Sequence, residues 1–362
     1  MTKSHPALQR ALRFCDAHHL TLPVLLAPMA GVSPPDLSVA VMKAGGLGAC
    51  GAAGMTPDAM RQWADNVRLR GGDQFQVNLW MPGPPPIRSA AQEQAMRDYL
   101  EQWGPPVPSE AGDFTTPDFF AQCAALVDIA PPVVSSIMGL YPPDIAAALR
   151  ARGIRWFATA TTVAEARQAE RAGADAIIVQ GMEAGGHRGS FDAAQAEAEM
   201  VGLFALLPAI VDATQIPVIA SGGIADGRGV AAALVLGASA VQVGTAFLRC
   251  PEAGISSSWA TAIGQCDPEG TRVTRAFSGR AARGLATDFV RAMALPDAPQ
   301  HAPYPVQRGL TQPMRTAAAK SDDVQRQQAW SGQAGRMARA APAKEVVQDL
   351  WGQAQTLLST QY

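Results

Sequence analysis

The sequence lacks an excess of either charge: 29 lysine and arginine residues stand against 31 aspartate and glutamate residues, for a net charge of −2. Proteins that bind nucleic acid or anionic membranes typically carry a basic patch or a basic stripe along one face. The charge balance therefore argues against nucleic-acid and membrane partners. It favours small molecules as substrates.

Long apolar runs are absent as well, since none reaches the roughly 18 residues that a membrane-spanning helix requires. Residues 1–20 mix charges with histidines and lack the apolar core of a secretory signal. The five cysteines contain no CxxC pair and no metal-binding spacing. We therefore expect a cytoplasmic protein with reduced thiols. The cysteines are Cys15, Cys50, Cys123, Cys250 and Cys266.

What the sequence does contain is a regular alternation of short apolar runs with helical stretches. Runs of this kind are typical of strands in a buried parallel sheet. Eight of them predict an α/β protein with a (β/α)8 TIM barrel, which they fit better than an open doubly wound sheet. The predicted strands cover residues 23–29, 47–50, 74–80, 132–137, 154–159, 175–179, 217–220 and 240–243.

Helices are predicted between most of these strands, at residues 34–44, 56–70, 117–129, 143–152, 162–172, 194–213 and 226–236. Proline-rich residues 81–116 interrupt the alternation and predict an excursion over one end of the barrel. We predict that residues 1–250 form the barrel. Residues 251–362, called the cap segment below, are predicted to form a smaller, mainly helical domain that covers the barrel mouth.

In a barrel of this type the functional residues lie just after the strands. Gly222 and Gly223 follow the seventh predicted strand, and Gly244 and Thr245 follow the eighth. The loops after these two strands often bind phosphate at a helix N-terminus, where free N–H groups and the helix dipole hold an anion. These residues therefore predict a phosphate site, although a Gly-Gly pair after a strand is by itself an ordinary turn.

Other strand ends carry Pro28 and Met29, and the amides of Asn78 and Gln180. An amide can read the donor and acceptor edge of a planar heterocycle, or it can simply satisfy neighbouring backbone groups. Two amides beside a phosphate site favour the first alternative. They indicate a mononucleotide cofactor, flavin included.

His187 lies in a glycine-rich loop and is the only histidine beside a predicted strand end. A lone histidine is more often structural than catalytic, but this position favours acid–base chemistry. At its ordinary pKa of about 6.5 the imidazole would be largely neutral at pH 7 and able to accept a proton. Glu183 could complete a metal pair, but Gly185 and Gly186 oppose the helix that would align the two, so no metal is predicted.

The segment Gly46-Leu-Gly-Ala-Cys-Gly51 matches the GxGxxG pattern of dinucleotide sites. That pattern should follow a strand and open a helix. Here it follows a predicted helix and itself contains a strand. We therefore interpret it as tight packing.

Several of these segments together resemble the nitronate monooxygenase family, in its bacterial class I branch. The stretch Glu183-Ala-Gly-Gly-His-Arg-Gly189 is the most specific part, and the resemblance covers nearly the whole chain. Ser331 departs from it, since alanine is expected there. The other matching segments are residues 26–31, 76–78, 180–189, 220–224, 242–245, 277–284, 303–305 and 330–333.

The resemblance implies non-covalently bound FMN with His187 facing it. It also implies oxidation of alkyl nitronates, such as the toxin propionate 3-nitronate, by O2 without pyridine nucleotide. The products would be a carbonyl compound and nitrite or nitrate. The protein is expected to be a monomer or a homodimer. Tyr304 is predicted to contact substrate. The positions that match FMN contacts in the family are Asn78, Gln180, Gly185, Gly223, Gln242, Val243, Gly244 and Thr245.

Two rival interpretations remain. An FMN-dependent reductase that uses NAD(P)H, with an enoyl thioester or a quinone as substrate, shares the barrel and a similar Gly-Gly-His loop. Enoyl-thioester reductases usually have an aliphatic residue where Arg188 stands. A phosphate-binding sensor without turnover would need no base beside its ligand. Nitronate oxidation is therefore the preferred prediction.

Overall fold

The structure, a computed structural model, describes residues 5–359. The strands in this range are β1 (Val24–Leu26), β2 (Gly48–Gly51), β3 (Phe75–Trp80), β4 (Val133–Ile137), β5 (Arg155–Ala160), β6 (Ala176–Gln180), β7 (Gly186–His187), β8 (Val218–Ser221), β9 (Ala240–Val243), β10 (Thr271–Thr274) and β11 (Ala282–Leu285). The α-helices are α1 (Pro6–Ala17), α2 (Pro35–Lys43), α3 (Pro57–Gly71), α4 (Ala90–Leu100), α5 (Phe119–Ile129), α6 (Pro143–Ala151), α7 (Val163–Arg171), α8 (Leu203–Ala213), α9 (Gly227–Val235), α10 (Ser257–Gln265), α11 (Asp288–Ala292), α12 (Val306–Leu310), α13 (Gln312–Lys320) and α14 (Ala343–Ser359).

Eight strands pair in parallel in the order β1-β9-β8-β6-β5-β4-β3-β2. A parallel bridge between Leu25 and Leu47 joins the two ends of this sheet, with the amide of Leu26 donating to the carbonyl of Leu47 over 2.8 Å. The strands therefore close into a barrel. The prediction of a (β/α)8 TIM barrel is confirmed.

The strand pattern divides the barrel interior into an apolar lower layer and a polar upper layer. Because side chains alternate across a strand, Ile178 and Gln180 point inward on β6 while Val179 points outward. Near the amino ends, Leu25, Phe157 and Ile178 belong to one apolar cluster that Phe14 of α1 joins. Towards the carboxyl ends, Asn78, Gln180 and Gln242 line a cavity, and Gln76 below them donates to the side-chain oxygen of Gln242 over 2.9 Å. The polar chemistry of the barrel is thus concentrated at one end.

The eighth helix of the outer ring is α14, although it lies about 100 residues after β9 in the chain. It contacts α9, α2 and β1, and its apolar side chains share the main core with Val230 and Val243. Part of the cap segment therefore completes the barrel. The domain boundary at residue 250 stays a prediction.

The rest of the cap segment contains an antiparallel sheet that the sequence did not predict. Strand β11 pairs with β10 on one side and with the short β7 on the other. The excursion contributes to the same region, because Met96 and Leu100 of α4 pack with Phe277, Phe289 and Leu310 in a second apolar core. The excursion and the cap segment are thus one packed layer above the barrel mouth.

One predicted helix is wrong in its extent. Residues 194–213 were expected to be helical throughout, but α8 begins at Leu203 and residues 193–199 form turns. These turns are held by the cap segment, since Arg275 donates to the carbonyl of Ala193 over 2.8 Å and pairs with Glu197. Tertiary contacts override the helix propensity of this alanine- and glutamate-rich stretch.

Within residues 5–359, no helix combines the length and the apolarity needed to span a bilayer. The five cysteines are all free thiols, and four of them are buried. Tight packing explains the GxGxxG match, since a Cβ atom on Gly46 would lie 2.4 Å from the carbonyl oxygen of Val24.

The role of α14 in the barrel can be tested with two leucines of the same helix. Leu350 is 2% exposed in the main core, whereas Leu357 is 51% exposed. We expect Leu350→Ala to destabilise the fold by about 2–5 kcal/mol because it leaves a cavity. The control Leu357→Ala should change stability by less than about 0.5 kcal/mol. Urea unfolding midpoints measure both, and equal midpoints for the two variants would show that α14 does not pack on the barrel.

Candidate active site

A large cavity opens at the carboxyl ends of the barrel strands, beneath the cap segment. Its volume is about 1310 Å³, which exceeds the roughly 300–1,000 Å³ of a usual small-molecule site. Such a volume accommodates a cofactor together with a substrate. Predicted site residues that line it are Pro28, Met29, Asn78, Gln180, Gly185, His187, Gly222, Gly223, Gln242, Gly244, Thr245 and Tyr304.

Val243 is the one predicted site residue that the fold directs away from this cavity. Gln242 points into the barrel, so its neighbour on β9 must point outward. The Val243 side chain is buried in the main core between strands and helices. Only its backbone lies near the site.

The loops after β8 and β9 form a cradle with free donors. Gly222 and Gly223 have φ angles of +111° and +70°, which glycine adopts without the cost that a side chain imposes. Their amide N–H groups donate to no other group in the described chain. The hydroxyl of Thr245 accepts the amide of Gly332 over 2.9 Å, which leaves its proton available to another acceptor.

The N-terminus of α9 is not part of this cradle, contrary to the expectation of a helix N-terminus as the anion site. The Asp226 carboxylate already accepts the amides of Arg228 and Gly229, over 3.0 and 3.2 Å. A capping carboxylate occupies the position that a bound anion would take. The donors of the cradle are therefore loop amides.

The side-chain amides fall into two groups. Gln180 satisfies backbone groups: it donates to the carbonyl of His187 over 3.0 Å and accepts the amide of Gly189 over 2.7 Å. The side-chain NH2 of Asn78 donates to Ser135 over 3.1 Å, and no group in residues 5–359 donates to its side-chain oxygen. Gln242 accepts from Gln76, and its own NH2 has no acceptor among the described residues. The side-chain oxygen of Asn78 and the NH2 of Gln242 thus remain as one acceptor and one donor for a heterocyclic ligand.

His187 is held in a strand, not in a flexible loop. Gly186 and His187 form β7, which pairs with β11. The imidazole Nε2 lies 2.8 Å from the hydroxyl of the buried Ser278. The rings of Trp80 and Trp330 pack against the imidazole, with centroid distances of 4.6 and 5.2 Å. The cap segment thus fixes the orientation of the ring.

Burial is the main cause that lowers the pKa of His187 to about 3, and the positive charges of Arg308 and Arg280 add to it. The imidazole therefore stays neutral throughout the physiological range. This differs from the ordinary pKa that the sequence suggested. A base with such a low pKa has little driving force to take a proton from carbon.

Two arginines that the sequence did not mark line the same cavity as Tyr304. Arg308 and Arg315 both line the cavity. Neither lies within 4.0 Å of a carboxylate in the described chain. Burial and the charge of Arg308 lower the pKa of Arg315 to about 10, so it remains a cation at neutral pH. No motif marks these residues, because they lie on two separate short helices.

Ser278 and Trp330 were also missed as site residues, although segments 277–284 and 330–333 had matched the family. Both act on His187, which no spacing in the sequence reveals. Ser331, the departure from the family pattern, is fully buried and its hydroxyl donates to the carbonyl of Gly332 over 3.1 Å. It does not line the cavity.

Glu183 caps a helix, since its carboxylate accepts the amide of Leu203 at the start of α8 over 2.9 and 3.0 Å. Among residues 5–359, no three histidine, cysteine, aspartate or glutamate side chains are placed to hold a metal ion.

Comparisons with known proteins agree with this geometry. The family model described as nitronate monooxygenase matches residues 13–353. The nitronate monooxygenase of Paraburkholderia phytofirmans is 39% identical over 334 residues, which cover 91% of each chain. A crystal structure of nitroalkane oxidase from Streptomyces ansochromogenes is 40% identical with a TM-score of 0.84, over 95% of this chain and 100% of the other. FabK from Thermotoga maritima is 28% identical with a TM-score of 0.74, over 99% and 98%.

The match to the family model spans most of the chain, and it includes the strand that carries His187 and the glycine cradle. Identity near 40% over nine-tenths of a relative supports the same assignment. The chain therefore belongs to the nitronate monooxygenase family of oxidoreductases.

Proposed function

We propose that the protein uses FMN to oxidise alkyl nitronates with O2, and that propionate 3-nitronate is a substrate. The products are a carbonyl compound and nitrite or nitrate. One observation carries the proposal: a single cavity holds a cradle of free amides, a neutral imidazole among aromatic rings, and two unpaired arginines. These parts suit a cofactor phosphate, a reacting nitronate and a second anionic group.

The residues present fit FMN. Gly222, Gly223 and Thr245 would bind the phosphate, because their N–H and O–H groups have no other acceptor. Asn78 and Gln242 would meet the polar edge of the ring system with one acceptor and one donor. When bound, FMN supplies the electron acceptance and the reactivity with O2.

His187 orients the substrate in this proposal and does not deprotonate it. A nitronate is already an anion and requires no base to donate electrons. The neutral imidazole, held by Ser278 and enclosed by Trp80 and Trp330, excludes water from the reacting atoms. Water exclusion strengthens the electrostatic interactions inside the site.

Arg308 and Arg315 support a substrate with a second negative charge. Both cations line the same cavity as His187, with no carboxylate partner of their own in the described chain. Arg315 is anchored by hydrogen bonds to Thr311 and Gln328, over 3.2 and 3.0 Å. The Arg308 guanidinium makes no hydrogen bond to residues 5–359, so it is free to pair with a carboxylate.

The phosphate cradle can be tested with two variants of equal size. Asparagine and aspartate both tolerate the positive φ of Gly223, but only aspartate adds a negative charge. Like charges about 4 Å apart repel by about 4 kcal/mol at an effective dielectric constant of about 20. We therefore expect Gly223→Asp to retain less than about a tenth of the flavin that Gly223→Asn retains. The measurement is the absorbance ratio of the purified proteins, with the released flavin identified by mass.

A fully flavinylated Gly223→Asp protein would place the phosphate elsewhere. Release of FAD in place of FMN would contradict the cofactor assignment.

The function and the role of Arg308 are tested together by steady-state kinetics on two nitronates. Wild type should consume O2 and release nitrite with propionate 3-nitronate, without NAD(P)H. A hydrogen bond to a charged group contributes about 1.5–3 kcal/mol, so Arg308→Met should lower kcat/KM for this substrate by about 10–150-fold. Ethylnitronate lacks the carboxylate, and its kcat/KM should fall far less.

An equal loss for both nitronates would show that Arg308 does not read the carboxylate. Rapid anaerobic bleaching of the flavin by NADPH, with no reaction of either nitronate, would instead favour the reductase interpretation.

The low pKa of His187 predicts how rate depends on pH. Its lowered pKa means that the imidazole does not gain a proton as pH falls from 8 to 5.5. Initial kcat/KM for freshly diluted ethylnitronate should therefore show no break near pH 6.5. Neutral nitroethane should react about 10²–10⁴-fold more slowly, because general-base help is missing. A break between pH 6 and 7 that disappears in His187→Asn would show that His187 titrates as an ordinary base.

A further inference from the structure

A second, much smaller cavity lies behind the strand that carries His187. Its volume is about 10 Å³, which is room for one water-sized or monatomic species. Two arginines line it, Arg188 directly after β7 and Arg283 on β11, and the remaining wall is mostly apolar. The other lining residues are Gln180, Met182, Ala184, Gly186, Met200, Val273 and Ala282.

Arg188 is only partly satisfied by the protein. It is 9% exposed, and its Nη1 donates to the carbonyl of Gln180 over 2.7 Å. Its Nε and Nη2 are buried and have no acceptor among the described residues. A buried charged donor without an acceptor is costly, so this geometry requires a further partner.

Arg283 brings a second buried positive charge to the same point. It is 8% exposed, and it donates to the carbonyl of Met182 over 2.8 Å and to the hydroxyl of Thr271 over 3.0 Å. Neither arginine forms a salt bridge within residues 5–359. Each therefore lacks a directly bound counter-charge.

The nearby carboxylates are engaged elsewhere. Glu165 accepts backbone amides of Thr161 and Phe191, over 2.6 and 2.7 Å. Glu183 is bound to the amide of Leu203 at the start of α8. Glu199 is exposed to solvent. These groups lower the electrostatic cost of the two arginines at a distance, but none supplies the missing acceptor.

We propose that this small cavity binds one small monovalent anion of the size of chloride, held between Arg188 and Arg283. The occupant accepts from the free Nε and Nη2 of Arg188 and neutralises part of the paired positive charge. An anion is favoured over water between Arg188 and Arg283, because a water molecule would leave both positive charges uncompensated.

The site supports the strand of the active site. Gln180 and Gly186 line both cavities, and the Gln180 amide holds the backbone on either side of Arg188. An anion that fixes Arg188 therefore also fixes β7. Anion binding should therefore increase the stability of the fold, and this increase can be measured without an activity assay.

The experiment compares melting temperatures in chloride and in gluconate, which is too large for the cavity, at constant ionic strength. A ligand that binds only the folded state raises Tm, and we expect a rise of at least about 2 °C in ~200 mM chloride. Arg188→Met and Arg283→Met should each abolish the chloride-specific rise. Arg272→Met, an exposed arginine on β10, is the matched control and should keep it.

A bromide soak of wild-type crystals needs no variant and tests the position directly. An anomalous peak between the two guanidinium groups, together with the chloride-specific Tm rise, supports the proposal. A bromide peak without the Tm rise would mark an adventitious ion only, and it would overturn the proposal. Equal Tm values in chloride and gluconate with no peak would overturn it as well and assign the space to water.

Discussion

The amide of Gln180 is the contact on which the active site depends most. It lies at the last position of β6, and it binds the backbone on both sides of Arg188. Arg188 in turn donates to the Gln180 carbonyl. A rigid barrel strand is thereby fastened to the short strand that carries His187. Sites built on regular elements hold their geometry better than sites on free loops.

The cap segment also holds His187 in place. Ser278 fixes one ring nitrogen of His187, and Trp330 covers part of the ring. Burial lowers the pKa of His187, and the positive charges of Arg308 and Arg280 lower it further. Arg308, the residue that we propose binds the substrate carboxylate, therefore also helps to keep the imidazole neutral. Positive charge on the cavity wall thus lowers the basicity of His187, while it would favour an anionic ligand.

Much of the barrel could be predicted from the sequence, because eight apolar runs of strand length leave few other folds. The residues directly after those runs, from Asn78 to Thr245, include most of the predicted residues that line the cavity. The side-chain alternation of strand β9 also determines that Val243 points away, a consequence that the family resemblance obscured. The start of α8 could not be predicted, because the turns before it are held by Arg275, which lies about 80 residues further along the chain.

The parts that could not be predicted arise from distant contacts. Arg308 and Arg315 carry no motif, and only the packing of the short helices α12 and α13 brings them to the cavity that His187 also lines. The pKa of the imidazole depends on what encloses it, which no local spacing encodes. Strands β10 and β11 are short and polar in part, so they lack the apolar runs that marked the barrel strands.

The position of α14 has a consequence for how the chain acquires its structure during synthesis. The groove that α14 fills between α2, α9 and β1 stays open until residues 343–359 have been synthesised and have left the ribosome. The cap segment must therefore emerge, and can begin to fold, before the barrel that it covers is complete. Contacts this remote in sequence slow folding, and the uncovered apolar surface is a natural target for chaperones. Barrel and cap segment are therefore expected to mature as one unit.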